Sequence, residues 1–337
     1  MSSKVVPSIT GLLLPLVLGT SLAAQLGRGG TGVGTRPPAF PDTTASTTVS
    51  LQPPPVIDPD LVLLNVSVTG SGNSAVPGIS RDRFQVFEDG DEQKITYFWE
   101  DSRPLTVGFI FDDSMKMATN DKVLVLKEAA HSFLKNKDPR DEFFIVRMSD
   151  FADVVLSFTT DVRGLPINYA SIGETALYDA VYVGLSVIKE AANPRRLLLV
   201  ITSGGDRCCS DNNKKTTEQM LKEFALKQNV PIYSLLVVDE ITDEQSEMVH
   251  RDAVVLADLA TMTGGRMYNA PNSARGVEAL TAEIARGLKT QYILGFKSTR
   301  ESHDGKRRGV KVKVSSPENG AKLSAWTKAA YFTRKEN

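Results

Sequence analysis

The sequence predicts an α/β fold in which a doubly wound, mostly parallel sheet is inserted between two β segments that form a small β sandwich. Three observations lead there. From Leu105 to Thr290 near-continuous apolar strands alternate with amphipathic helices, the pattern of a sheet covered on both faces. Ahead of it, between Asp60 and Trp99, strands are short, alternate polar with apolar, and are punctuated by Gly/Asn/Asp turns. After Thr290 strands return, and neither flanking piece has enough strands to bury itself alone.

Composition bounds what the chain does. Of 337 residues, 41% are hydrophobic and 23% charged, with 39 basic against 40 acidic side chains. Such a balance excludes disorder, a collagen-like chain and a nucleic-acid-coating protein, so no nucleic-acid partner is expected. The charge is unevenly spread: the stretch from Lys297 to the end is rich in lysine and arginine and poor in acids. Cys208 and Cys209, the two cysteines, are adjacent and build no disulfide framework; two free or variably oxidised surface thiols are expected, with a strained vicinal bridge as the alternative. No Cys/His cluster marks a zinc site, and His131, His250 and His303 are far apart in sequence.

The elements follow in order. Residues 1–24 combine Lys4, an apolar stretch from Gly11 to Leu18 and the small residues Ser21, Ala23 and Ala24, the grammar of a secretory signal peptide cut near Ala24. Pro15, Gly19 and Thr20 interrupt a run already shorter than the roughly 20 apolar residues of a membrane span. An exported protein, periplasmic or extracellular and without a span, is expected. Residues 25–56 are rich in Gly, Pro, Thr and Ser and read as a tether. Gly30, Gly32 and Gly34 within it lack the preceding strand and following helix of a dinucleotide loop.

The N-terminal β segment spans residues 57–99, with strands at Leu61–Val68, Phe84–Phe87 and Lys94–Phe98. The α/β domain, residues 103–290, opens on a strand at Leu105–Phe111 and a helix at Lys122–Lys135. Strands at Glu142–Met148 and Val154–Phe158 and a helix at Thr175–Ala191 come next. Strands at Arg196–Thr202 and Pro231–Val238 then alternate with helices near Thr216–Gln228, Asp252–Thr263 and Arg275–Thr290. The closing β segment, residues 291–334, carries strands at Gln291–Phe296, Val310–Val314 and Lys322–Trp326 and is expected to pair with the first. Lys311 and Lys313 alternate with valines there, a solvated face whose lysines also guard an edge.

Ligands of a wound sheet collect beyond the carboxyl ends of its strands. The first strand ends in Phe111-Asp112-Asp113-Ser114-Met115-Lys116-Met117. A later helix opens with Gly173-Glu174-Thr175-Ala176-Leu177-Tyr178-Asp179, and the strand Arg196–Thr202 runs into Ser203-Gly204-Gly205-Asp206. Hydrophobic strand, Asp-x-Ser, Gly-x-Thr-Ala-Leu-Tyr-Asp-Ala and Thr-x-Gly-x-Asp, in that order, resemble a von Willebrand factor type A domain, itself Rossmann-like. With VPGISRDRFQVFEDGDEQKITYF ahead of the domain and QYILGF and DGKRRGVKVKV behind it, the chain is similar over about residues 58–333 to exported bacterial proteins related to that family.

The resemblance implies a metal-ion-dependent adhesion site, in which Mg²⁺ or Mn²⁺ held by protein oxygens is completed by a partner's carboxylate. Asp112, Ser114 and Thr175 match its metal positions. Lys116 stands where a second serine belongs and Ser203 where a second aspartate belongs, so the site is expected to be degenerate and to hold no cofactor. An ammonium about 4 Å from the ion would oppose it by about 4 kcal/mol at an effective dielectric of about 20, and Lys116 is expected to pair with Asp112 in its place. Asp113, Lys116, Glu174, Ser203 and Asp206 are the candidate ligand contacts. Plainer roles compete, with Thr175 as a helix N-cap and Asp112 as a loop cap. The function expected is a non-enzymatic adhesion or protein-interaction module with an unidentified protein ligand. The alternative is a haloacid-dehalogenase-like phosphatase, which needs a second acid two residues after its nucleophilic aspartate; that position holds Ser114.

Overall fold

A computed structural model describes residue 58 and residues 60–334, apart from 72–73, 118–121, 136, 164, 167–172, 205, 209–215, 238–242, 271–272, 289, 301–303, 317–319 and 321. The expected leader and tether lie outside the described residues. Among those described, no helix is long and apolar enough to cross a membrane.

The first β segment forms β1 (Leu61–Thr69), β2 (Phe84–Glu88), β3 (Asp91–Gln93) and β4 (Ile95–Asp101). The central domain runs β5 (Leu105–Asp112), α1 (Lys122–Leu134), β6 (Glu142–Met148), β7 (Ala152–Thr159), α2 (Leu177–Val187), β8 (Arg195–Thr202), α3 (Glu218–Gln228), β9 (Ile232–Val237), α4 (Asp243–Thr263), β10 (Met267–Ala270) and α5 (Ala274–Gly287). The chain closes with β11 (Gln291–Lys297), β12 (Arg307–Val314), β13 (Ser324–Trp326) and β14 (Ala330–Phe332).

Six central strands make one sheet in the order β10-β9-β8-β5-β6-β7. All its pairings are parallel except that of the edge strand β7 with β6. β5 is central and buried along its whole length, and its side chains alternate between two cores. Leu105, Val107, Phe109 and Phe111 face a core shared with Leu126 and Phe133 of α1 and Val277 and Ile284 of α5. Ile110 faces the other, with Leu177 and Leu185 of α2, Leu221 of α3 and Leu256 and Leu259 of α4. A buried side chain of this size contributes roughly 1.5–3 kcal/mol, so the two cores fix which face each helix covers. Gly108 has no room for more: a Cβ there would sit 2.4 Å from the Phe144 ring.

The outer strands form two four-stranded sheets, β13-β1-β11-β4 and β14-β12-β2-β3. β1 and β4 flank β11, while β2 pairs with β12, so both sheets mix strands from before and after the central domain. Between them lie Leu64, Val66, Phe84, Val86, Tyr292, Leu294, Phe296 and Val312. This is the sandwich expected from the alternating pattern. Tyr292 is its largest fully buried side chain; its hydroxyl accepts from the Ile79 amide at 3.0 Å and donates to the Val76 carbonyl at 2.8 Å.

Several details differ from the expectation. α2 begins at Leu177, past Thr175, and ends at Val187 in a 3₁₀ turn over Ile188–Glu190, while α4 starts at Asp243, well before Asp252. β3, β10 and β14, of three or four residues each, were too short to leave a periodic signal. Cys208 corrects the expectation of surface thiols: it is buried and disulfide-bonded, and the sequence holds no other cysteine than Cys209, which lies outside the described residues.

Candidate functional site

β5, β6 and β8 end at the same edge of the central sheet, and Asp112 closes β5 there, fully buried. Its Oδ1 accepts the Ser114 amide at 3.0 Å, which tightens the loop on itself. Its Oδ2 accepts the Ser203 amide at 2.9 Å and the Ser203 hydroxyl at 3.0 Å. The Thr202 hydroxyl lies 2.9 Å from the same oxygen and 2.7 Å from the Gly204 carbonyl; with one proton it donates to one of them at a time. A single carboxylate thus clamps the loop after β5 to the loop after β8.

Backbone bonds tie in the remaining loops. The Asp113 amide donates to the Met148 carbonyl at 2.7 Å and the Met115 amide to the Gly173 carbonyl at 3.0 Å. The amides of Arg207 and Cys208 both reach the Thr175 carbonyl, at 2.7 and 3.0 Å. Asp150, in the turn after β6, accepts the Glu174 amide at 2.7 Å. Gly173 is required where it stands, because its φ is +77° and a Cβ would fall 2.5 Å from the Asp150 carboxylate.

The residues singled out from sequence fall as follows. Asp112, Asp113, Ser114 and Thr175 are buried together at the edge, Ser203 and Asp206 are half-buried, and Glu174 is exposed. The backbone of Lys116 lies in a 3₁₀ turn, Met115–Met117; its side chain is outside the described residues, and with it the expected pairing with Asp112. Thr175 is not a helix N-cap: Ala176 takes that position without a side-chain cap, and Asp206 Oδ1 accepts the Tyr178 amide at 3.2 Å instead. Among the described residues, the buried Ser114 and Thr175 hydroxyls have no hydrogen-bond partner. Asp112 does cap loops, through Ser114 and Ser203.

Sequence reasoning missed four residues of this rim. Thr202 and Asp150 bond within it, and Met115 and Phe151 project from it, 59% and 55% exposed. Arg147 lies over the Phe151 ring at 6.0 Å while its guanidinium pairs with Asp153 at 3.0 Å. The turn Ser149-Asp150-Phe151 between two strands was the available signal for Asp150 and Phe151.

The donor set meets the needs of a divalent cation in part. Mg²⁺ takes about six oxygens in near-octahedral geometry, and two unpartnered hydroxyls beside a carboxylate are suited to it. Against that, Ser203 supplies a hydroxyl where a carboxylate would add charge, and its proton already engages Asp112. Among the described residues, no group of three His, Cys, Asp or Glu side chains is placed to hold a metal.

No protein-family model and no curated protein matches the chain. Solved structures of related shape include a mutant of the PilB minor pilin from Streptococcus sanguinis, 10% identical, with a TM-score of 0.43 over 56% of this chain and 62% of that one. Others are BatB from Bacteroides thetaiotaomicron, 17% identical, TM-score 0.40, over 55% of this chain and 99% of that one, and a von Willebrand factor type A protein from Catenulispora acidiphila, 11% identical, TM-score 0.40, over 79% and 75%. The chain thus spans less than two thirds of the pilin's length. At such identities and scores the likeness says nothing of what the chain binds.

Proposed function

We propose that the chain is an exported, non-enzymatic adhesion or protein-interaction module that grips a protein partner with the loop rim at the carboxyl edge of its central sheet, without a resident metal. The observation that carries this reading is the contrast within the rim: Met115 and Phe151 stand out into solvent from loops whose backbones are bonded to one another. Methionine and aromatic side chains are enriched in protein interfaces, and an exposed apolar pair on a pre-organised frame loses little entropy on docking. Glu174, exposed in the same rim, can meet a basic group of a partner.

The metal-free form follows from Asp112. Its two oxygens already accept the amides and hydroxyl that hold the loops together, and Ser203 adds no second negative charge. The phosphatase alternative lacks its acid, since the Ser114 hydroxyl cannot protonate a leaving group as a carboxylic acid does.

The test is affinity capture from a cell-envelope fraction with the mature protein and a Met115→Ser, Phe151→Ser double variant, each with and without EDTA. A partner retained in EDTA and lost from the variant supports the reading; a partner retained by the variant overturns the assignment of the surface. Turnover of an aryl phosphate, abolished by Asp112→Asn, would replace the binding module with an enzyme.

A further inference from the structure

A second surface lies away from the rim. β13 pairs with β1 only over Ser67–Thr69. From there the chain turns aside, so that the Lys328 amide nitrogen passes 2.6 Å from where a Cβ on Gly264 would sit. β11 covers the other edge of β1 from Leu61 to Val66. Among the described residues, no strand pairs with Leu61–Val66 on the side that β13 has left. A cleft of about 950 Å³ opens at this place, and three consecutive residues of β1, Leu61, Val62 and Leu63, line it. Successive strand residues point to opposite faces, so a cavity lined by all three meets the edge of the strand.

The lining is cationic. Lys297 and Arg300 are committed to carboxylates, Lys297 to Asp58 and Arg300 to Asp91 at 2.6 Å. Lys227, Lys328 and Arg334 also line the cleft and form no ion pair among the described residues, and Asp60 is the one acid of the lining. Lys328 donates to Asn229 Oδ1 at 2.8 Å, leaving two of its three N–H donors for another acceptor. Burial pushes its pKa down to about 8, which reflects an ammonium short of a counter-charge. Leu226 and Phe332 add apolar surface between the cations.

We infer that this cleft binds an extended acidic peptide of a partner protein, added as a strand to the open edge of β1 with its carboxylates on Lys227, Lys328 and Arg334. An unpaired edge offers main-chain donors and acceptors at strand spacing, and side chains along it set the specificity. Alternating apolar and acidic residues suit a lining that is itself apolar and basic by turns.

The test uses the mature full chain and a short fluorescein-labelled peptide of alternating valine and glutamate, titrated by anisotropy and followed by hydrogen exchange. The expected result is saturable binding that weakens about tenfold in Lys328→Gln and in Lys227→Glu, persists in Lys328→Arg, and slows amide exchange within Leu61–Val66. Should Lys328→Gln fail to fold, Lys227→Glu, at an exposed position, carries the same comparison. Absence of binding, binding indifferent to both lysine variants, or protection confined to other strands would overturn the proposal. So would binding of decanoate but not of the peptide, which would assign the cleft to an anionic amphiphile.

Discussion

The rim at the carboxyl edge of the central sheet and the cleft beside β1 solve opposite problems of exposed polar structure. At the rim, one buried carboxylate, Asp112, accepts bonds from its own loop and from the loop after β8, and so ties the two together. At the cleft, β13 leaves β1 after Ser67–Thr69, and cations gather along an edge with which no strand pairs among the described residues. The bonds that Asp112 accepts give stability at the rim, whereas the strand edge left unpaired and the ammonium left without a carboxylate at the cleft, among the described residues, give somewhere to bind. Removing Asp112 at the rim and Lys328 at the cleft should therefore move stability in opposite directions.

The largest effect is expected at Asp112. Asp112→Ala leaves the half-buried Ser203 amide and hydroxyl and the buried Ser114 amide without that acceptor, a loss of about 3 kcal/mol in urea unfolding, since each orphaned group costs roughly 1–3 kcal/mol. A loss below about 0.5 kcal/mol would mean that the loops hold together without it.

At Lys328 the sign reverses. Lys328→Met removes an incompletely paired, half-buried ammonium and is expected to stabilise the fold at neutral pH by about 1–2 kcal/mol. The same group gives a pH signature. Its pKa falls from 10.5 to about 8 on folding, so between those values the unfolded chain binds more protons and stability rises with pH. Below about pH 8 the cost is fully present, and it is relieved as pH climbs towards 10.5. Thermal melts of wild type and Lys328→Met across this window should converge at the alkaline end; parallel curves would show that Lys328 is as well solvated folded as unfolded.

The smallest effect on stability belongs to the exposed pair. Met115→Ser with Phe151→Ser should change the unfolding free energy by less than about 0.5 kcal/mol while weakening partner capture. A large destabilisation would make these side chains packing residues instead.

How much of this was legible in the sequence depends on whether a feature is written in one segment or in a pairing. β5 announced itself, because eight consecutive buried positions in Leu105–Asp112 leave a nearly continuous apolar run, broken only by Thr106, that ends in an acid. The cluster of Asp112, Ser114 and Thr175 was readable for the same reason, as short motifs follow strands and open helices. The capping of α2 was not, because Asp206, from a distant loop, does what Thr175 was expected to do locally. β10 is short and carries the polar Asn269, and β14 has three residues, so each is a strand only because a longer neighbour offers an edge. The open stretch of β1 is a matter of register: nothing in Leu61–Val66 records that β13 pairs with the other half of the strand. Exposure of Met115 and Phe151 is likewise a property of the folded surface, since in sequence both read as ordinary apolar residues.

The central claim is that Asp112 serves the loops and not a metal. Its most direct test is calorimetric titration of Mg²⁺ and Mn²⁺ into the protein and into a Lys116→Ser, Ser203→Asp double variant, which restores the hydroxyl and the carboxylate that the resemblance calls for. The predicted result is a binding heat in the variant and none, or far weaker binding, in the wild type. Equally tight binding by both would contradict the claim and make the rim a working metal-dependent adhesion site.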